Sequence, residues 1–161
     1  TLGDDEAYAR WTVAQCHLTH HNPLSDAATL ALGNMLRQLL QGCGLKACRI
    51  EAKRLIEQFP LFRFEPYPKR ASGYIVDTVQ TVLYHFFRTD SYESCVTEVV
   101  NCGEDADTTG ALAGMLAGAA YGLENIPHFW LKKLDKTVKV HIEKQTDALL
   151  QLAAKPGKDQ P

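Results

Sequence analysis

The sequence lacks an excess of charge of either sign, and it lacks long apolar runs. Lysine and arginine number 17 and aspartate and glutamate 19 among 161 residues. This balance argues against the strongly basic nucleic-acid binders of the histone or basic-arm kind. No apolar run reaches the about 18 residues that a membrane-spanning helix needs. We therefore expect no nucleic-acid partner and no membrane span.

Paired cysteine motifs are also missing. No C-x-x-C pair occurs among the five cysteines, which are Cys16, Cys43, Cys48, Cys95 and Cys102. An odd count without that spacing argues against a zinc ribbon, a dithiol redox pair or a disulfide framework. We interpret the cysteines as buried or incidental thiols, which predicts a protein of the reducing cytoplasm.

Apolar periodicity predicts an all-α protein of about eight helices in one compact unit. Residues 74–87 have the β-branched and aromatic composition of a strand, but their apolar positions follow helical spacing and the run is long for a strand. Asn22 and Pro23 are a cap and a first residue for another helix. The predicted helices cover about residues 4–16, 23–41, 45–59, 74–87, 91–101, 107–122, 127–134 and 135–154. We expect one domain over residues 1–154, a polar tail at 155–161, and core positions at Trp11, Phe86 and Phe87.

A row of glycines marks one of these helices. Gly110, Gly114, Gly118 and Gly122 recur at every fourth position, with alanines among them. Each glycine in an exposed helix costs on the order of 1 kcal/mol relative to alanine. The pattern therefore predicts a buried, central helix that neighbouring helices approach closely.

The entrance to this helix is crowded with acidic and hydroxyl groups, namely Glu104, Asp105, Asp107, Thr108 and Thr109. One interpretation is N-capping, in which a carboxylate accepts backbone N–H bonds. Capping accounts for one carboxylate only, and neighbouring like charges repel unless something neutralises them. The other interpretation is a site for a hard divalent cation such as Mg²⁺ or Mn²⁺. The residues alone leave both open.

Other motifs also admit two interpretations. The D-x-D-x-T string at 105–109 occurs in haloacid-dehalogenase-type phosphotransferases, but there the nucleophilic aspartate ends an apolar strand, which this chain lacks before Asp105. His17 and His21 have the spacing of zinc ligands on a helix, although a polar helix connection explains them equally simply. Tyr74 is either a pocket wall or an ordinary core or rim tyrosine.

Together, these stretches resemble the ADP-ribosylglycohydrolase family. The similar stretches are residues 19–28, 64–67, 74–83 and 105–118, within which the string D-A-D-T-T-G-A-L-A-G is specific. The resemblance is closest to a bacterial branch whose substrate is an ADP-ribosylated arginine of dinitrogenase reductase. It implies an orthogonal α-helical bundle and a hydrolase with two Mn²⁺ or Mg²⁺ ions at the base of a cleft.

Carried over by position, the resemblance implies roles for five residues. Asp105, Asp107 and Thr108 would be metal ligands, and His20 and Tyr74 would lie at the substrate cleft. The implied partner is ADP-ribosylated dinitrogenase reductase, whose repair reactivates nitrogenase. A P-II-type signalling protein is a further expected partner, and a monomer is the expected state.

The chain also departs from the family pattern. Glu104 stands where family members commonly carry the second of two glycines, and the order His21-Asn22 is inverted. The glycine-rich G-D-x-x-G string and the T-D-D-T-type ligand string that family members carry upstream are absent. We therefore expect a C-terminal part of the domain, inactive alone, with the general acid or base outside it. The alternative is a non-catalytic helical module that binds ADP-ribose or a partner protein.

Overall fold

The structure is a computed structural model that describes residues 4–154. Its described residues form eight α-helices, two short 3₁₀ turns and no strand, which confirms the all-α prediction. The helices are α1 (Asp5–Cys16), α2 (Pro23–Leu40), α3 (Gly44–Gln58), α4 (Ile75–Arg88), α5 (Tyr92–Val100), α6 (Ala106–Tyr121), α7 (His128–Lys133) and α8 (Lys136–Ala154). None of these described helices combines the length and apolar character needed to cross a bilayer. The polar tail expected at 155–161 lies outside the described residues.

The described chain divides into two units, the first ending at Ile126 and the second beginning at Pro127. The first unit contains α1 to α6 and the hydrophobic core. The second contains α7 and α8. The single domain over residues 1–154 stays a prediction.

Helix α2 begins and ends where its sequence predicts. The Leu24 N–H donates to Asn22 Oδ1 at 2.8 Å, and Pro23 occupies the first helical turn. Gly42 follows the helix with φ of +78°, the left-handed geometry that commonly terminates helices and that glycine adopts without a Cβ penalty.

Helix α4 passes through the core of the first unit. Val79, Val82 and Phe86 are fully buried, and Phe87 is nearly so, which confirms the helical interpretation of this β-branched segment and the core positions at 86 and 87. Because α4 is buried on most of its surface, it provides a fixed support for the loop that precedes it.

Trp11 is not a core residue, contrary to the prediction. Its side chain is 61% exposed, and the Arg10 guanidinium lies 5.4 Å from its ring centroid. Helix α1 packs against α2 and buries only Cys16 among its described residues. On the side of α1 that faces away from α2, none of the described helices covers an apolar residue.

Three of the glycines in α6 face α5, as the close-approach prediction requires. A Cβ added at Gly110 would lie 2.8 Å from Val100 Cγ2, and one at Gly114 would lie 3.3 Å from the Tyr92 hydroxyl. A Cβ at Gly118 would lie 3.8 Å from Tyr92 Cε2, an ordinary contact. The small residues therefore let α6 lie close to α5.

Helix α6 is not buried on all sides, which corrects the second half of that prediction. Its fully buried positions are Thr109, Ala113, Leu116 and Ala117. The helix packs against α2, α4 and α5, and its remaining residues are partly or fully exposed. Alanine and glycine are apolar but small, so they expose little apolar surface at the positions of a helix that are open to solvent. An apolar composition on every face of α6 therefore did not predict burial of every face.

We expect opposite effects from two alanine substitutions in α6. Gly118→Ala adds helix propensity without a clash and should raise the free energy of unfolding by up to about 1 kcal/mol. Gly110→Ala gains the same propensity but forces Val100 or the helix to move, at a cost of about 1–3 kcal/mol. Urea unfolding of both variants checks this, and equal stabilities would contradict the close packing at Gly110.

Candidate active site

The N-termini of α2, α4 and α6 meet at one cavity of about 420 Å³. Its walls come from the turn after α1, the first turn of each of these three helices, and the loop before α4. The lining residues are Cys16, His20, Asn22, Leu24, Ser25, Thr29, Gly73, Tyr74, Ile75, Thr78, Thr108 and Leu112. Helix N-termini carry partial positive charge and free N–H groups, so this cavity favours anionic ligands.

Three of the five predicted site residues, His20, Tyr74 and Thr108, line this cavity. Asp105 lies at its edge, because a Cβ added at the lining residue Gly73 would be 3.2 Å from Asp105 Oδ2. Asp107 is exposed in the first turn of α6, next to Thr108 along the chain. The structure thus brings together residues that lie far apart in sequence, while their individual roles stay predictions.

The carboxylates at the start of α6 do not cap the helix. Asp105 occupies the N-cap position, but its side chain accepts no backbone N–H bond. Its Oδ1 instead accepts a hydrogen bond from Thr108 Oγ1 at 2.9 Å. Among the described residues, none forms a hydrogen bond or ion pair with the Asp107 carboxylate. The capping interpretation is therefore wrong for Asp105, and the crowded oxygens need another explanation.

The oxygen atoms at this entrance suit a hard cation but form an incomplete set. Two carboxylates and one hydroxyl are the ligand types that Mg²⁺ and Mn²⁺ prefer. Six-coordinate ions need further oxygens from water, substrate or protein. Within residues 4–154, no group of three His, Cys, Asp or Glu side chains is placed to hold a metal ion. The donors of Asp105, Asp107 and Thr108 therefore fit part of a metal site.

The loop before α4 holds the entrance of α6 in place. The Asp105 N–H donates to the Ala71 carbonyl oxygen at 3.1 Å. Ser72 Oγ donates to Asp77 Oδ2 at 2.6 Å, and Thr78 Oγ1 donates to the Ser72 carbonyl at 3.1 Å. These bonds fix the loop to the first turn of α4. They thereby position Asp105 relative to the cavity.

The turn before α6 is left-handed at two successive residues. Gly103 has φ of +74° and Glu104 has φ of +51°. Both values lie in the left-handed region, where a residue with a Cβ is strained and glycine is not. Glu104 therefore adopts this conformation at a conformational cost.

The remaining alternatives do not match the structure. His17 Nε2 lies 2.9 Å from Asp26 Oδ1, and its ring stacks on that of His21 at 3.9 Å between centroids. This arrangement is that of a polar helix connection, and the described residues supply no third ligand for zinc. The phosphotransferase interpretation is wrong, since Asp105 follows a turn and helix α5 rather than a strand.

Sequence reasoning missed the part of the cavity wall formed by α2. Ser25 is buried there, and Thr29 Oγ1 donates to Cys16 Sγ at 3.6 Å. The available signal was spacing, since Asn22, Ser25 and Thr29 lie three and four residues apart and so share one helix face. This polar face near the start of α2 could have been singled out.

The described residues form an all-α fold with a cavity lined by helix N-termini beside carboxylate and hydroxyl oxygens. Comparison with known proteins shows the family to which such a chain belongs. A model of the ADP-ribosylglycohydrolase family matches residues 1–159, and the chain belongs to this family. It is 56% identical over 153 residues to the ADP-ribosyl-[dinitrogen reductase] glycohydrolase of Rhodospirillum rubrum, covering 95% of this chain and 52% of that protein.

A more distant relative is the ADP-ribosylarginine hydrolase Tri1 of Serratia proteamaculans. It is 34% identical over 128 residues, covering 75% of this chain and 35% of that protein. The chain thus spans about half the length, or less, of these curated relatives. What those whole proteins do is therefore a separate question from what this chain contains.

We expect Glu104→Gly to stabilise the turn relative to Glu104→Ala. Both variants remove the same side chain, but only glycine relieves the left-handed conformation. The expected difference in the free energy of unfolding is about 1 kcal/mol in favour of glycine. Denaturant unfolding measures it, and an alanine variant as stable as the glycine variant would show that residue 104 is unstrained.

Proposed function

We propose that this chain forms part of the active site of an enzyme that removes ADP-ribose from a modified arginine of dinitrogenase reductase, so reactivating nitrogenase. The single observation that carries the proposal is the uncapped, oxygen-rich entrance of α6 beside a cavity lined by helix N-termini. Support for the substrate comes from the 56% identity to a glycohydrolase whose name specifies dinitrogen reductase.

In this proposal, Asp105, Asp107 and Thr108 hold two Mn²⁺ or Mg²⁺ ions together with further oxygen ligands. Bound metal would orient the ribose hydroxyls and lower the pKa of a water molecule. Thr108 Oγ1 already points its proton at Asp105 Oδ1, 2.9 Å away, which leaves hydroxyl lone pairs to bind a cation. Gly73 leaves room for the Asp105 carboxylate, since a Cβ there would crowd Oδ2.

The cavity around these ligands has features suited to ADP-ribose. The diphosphate carries negative charge, which the three helix N-termini stabilise. Tyr74 is the N-cap residue of α4 and is 53% exposed, so its ring forms an accessible wall. His20 Nδ1 lies 2.8 Å from Thr19 Oγ1, and its Nε2 has no partner among the described residues, so it is free to contact substrate.

The reaction is hydrolysis of an N-glycosidic bond. The bond between the ribose C1″ carbon and the guanidine nitrogen breaks, water supplies a hydroxyl group to carbon, and a proton goes to the departing guanidine. The ribose develops positive charge as the bond breaks, and carboxylates nearby stabilise such charge. We assign no described residue as the general acid.

Other parts of the proposal concern the protein's setting. We propose a monomer in the cytoplasm that acts on ADP-ribosylated dinitrogenase reductase, with a P-II-type signalling protein as a further partner. The cytoplasmic setting rests on the cysteine pattern, and the monomer and the partners rest on the family resemblance rather than on a contact in the structure.

The test is substitution of the ligands in the full-length gene product. Asp105→Ala and Asp107→Ala should each lower Mn²⁺ affinity and Mn²⁺-dependent release of ADP-ribose by at least about 100-fold, because even outer-shell changes at metal sites cost about 10–100-fold. Glu104→Gln is the matched control, since it removes a neighbouring negative charge and should change both by less than about threefold. Isothermal titration with Mn²⁺ and an ADP-ribosyl-arginine peptide assay measure them.

The non-catalytic alternative predicts a different pattern. There, Asp105→Ala and Asp107→Ala would leave ADP-ribose binding unchanged, and no variant would hydrolyse the peptide. For the 161-residue chain by itself, we expect weak Mn²⁺ binding and no hydrolysis. Efficient hydrolysis by that chain would show that its own oxygens complete the site.

A further inference from the structure

A cysteine, a histidine and a glutamate form a linear array outside the cavity. Cys102 Sγ lies 3.3 Å from His85 Nε2, and His85 Nδ1 lies 2.9 Å from Glu98 Oε2. His85 comes from α4, Glu98 from α5, and Cys102 from the turn after α5. None of the three lines the cavity, and the proposed hydrolysis uses none of them.

The three side chains are arranged as nucleophile, base and orienting carboxylate, which is the arrangement that activates a nucleophile. Because a carboxylate only accepts hydrogen bonds, Glu98 orients His85 with the proton on Nδ1. The lone pair of Nε2 then faces the Cys102 thiol and can take its proton. A nucleophile within hydrogen-bond reach of a base, with the base oriented by a third group, is the general signature of nucleophile activation.

Tyr67 completes the surroundings of the sulfur. Its hydroxyl lies 3.6 Å from Cys102 Sγ and 2.9 Å from Thr81 Oγ1, so its one proton is shared between the sulfur and the threonine hydroxyl. Burial raises the pKa of the Tyr67 hydroxyl to about 12, so this group remains a donor at neutral pH. The Glu98 carbonyl oxygen, 3.4 Å from Sγ, is a second acceptor for the thiol proton.

The other cysteines lack this environment. Burial raises the pKa of the Cys48 thiol to about 11 and also raises the pKa of Cys95. Cys16 is likewise buried, and only Cys43 is exposed. Among the described residues, no histidine contacts Cys43. Cys102 is half-buried and therefore combines access with a base.

We propose that Cys102 is a thiol–disulfide exchange site, activated by His85 and Glu98, that takes a small-molecule disulfide such as oxidised glutathione. The thiol proton moves to His85 Nε2, and the sulfur attacks one sulfur of the disulfide. A new S–S bond forms as the original one breaks, and the leaving thiolate takes the proton to become a thiol. Cys102 is thereby oxidised to a mixed disulfide while the other half of the reagent is reduced.

The test measures the rate at which each cysteine of the 161-residue chain forms a mixed disulfide with oxidised glutathione at neutral pH, by quenching and peptide mass spectrometry. We expect Cys102 to react about tenfold or more faster than Cys43, despite its lower exposure. His85→Gln should slow Cys102 about tenfold and leave Cys43 unchanged. Glu98→Gln, at a side chain 52% exposed, should slow it by a smaller factor.

Two internal controls keep the result decisive. Cys48 and Cys95 should stay unmodified in every variant that remains folded, because both are buried. If His85→Gln exposes them, the Glu98→Gln variant and the comparison of Cys102 with Cys43 in the unmutated chain decide. A Cys102 rate no higher than that of Cys43, or one unchanged by a folded variant of either partner, would overturn the proposal.

Discussion

The hydrogen bond from the Asp105 N–H to the Ala71 carbonyl oxygen, 3.1 Å long, joins the two halves of the candidate site. It connects the loop before α4 to the start of α6, which are separated by more than thirty residues of helix and turn. This bond lies beside the approach of Gly73 to Asp105, where an added Cβ would be 3.2 Å from Asp105 Oδ2. The site is thus a product of tertiary contact between two helix starts.

The rest of the first unit is arranged so that this contact can form. Helix α4 is buried on most of its surface and gives the loop a rigid base. The glycines of α6 let that helix lie close to α5. The turn at 103–104 connects these two helices and lies at the edge of the cavity. At this edge the chain accepts a left-handed Glu104, a conformation that costs about 1 kcal/mol or more for a residue with a Cβ. The packing of the surrounding helices offsets the backbone strain at Glu104, which lies beside the proposed metal ligands.

Local patterns predicted much of this architecture. Helical spacing in a β-branched segment indicated α4, whereas the crowded carboxylates at 105 and 107 left capping and a metal site equally open. The predictions that failed depended on distant neighbours: Trp11 is exposed because none of the described elements covers that part of α1. The spacing of Ser25 and Thr29 showed a shared helix face, but a cavity forms there only because α4 and α6 face it. A residue pattern predicts the helix that contains it, whereas a cavity forms only where several helices pack together.

We propose that the oxygens at the α6 entrance bind a divalent cation beside this cavity. The most direct measurement is Mn²⁺ titration of the ¹⁵N-labelled 161-residue chain, because bound Mn²⁺ broadens amide signals near it. We expect the amides of Thr108, Asp105 and Gly73 to broaden first, with those of Tyr74 and His20 following. Broadening that spares these amides and affects amides beside other carboxylates of the chain would contradict a metal site at this entrance.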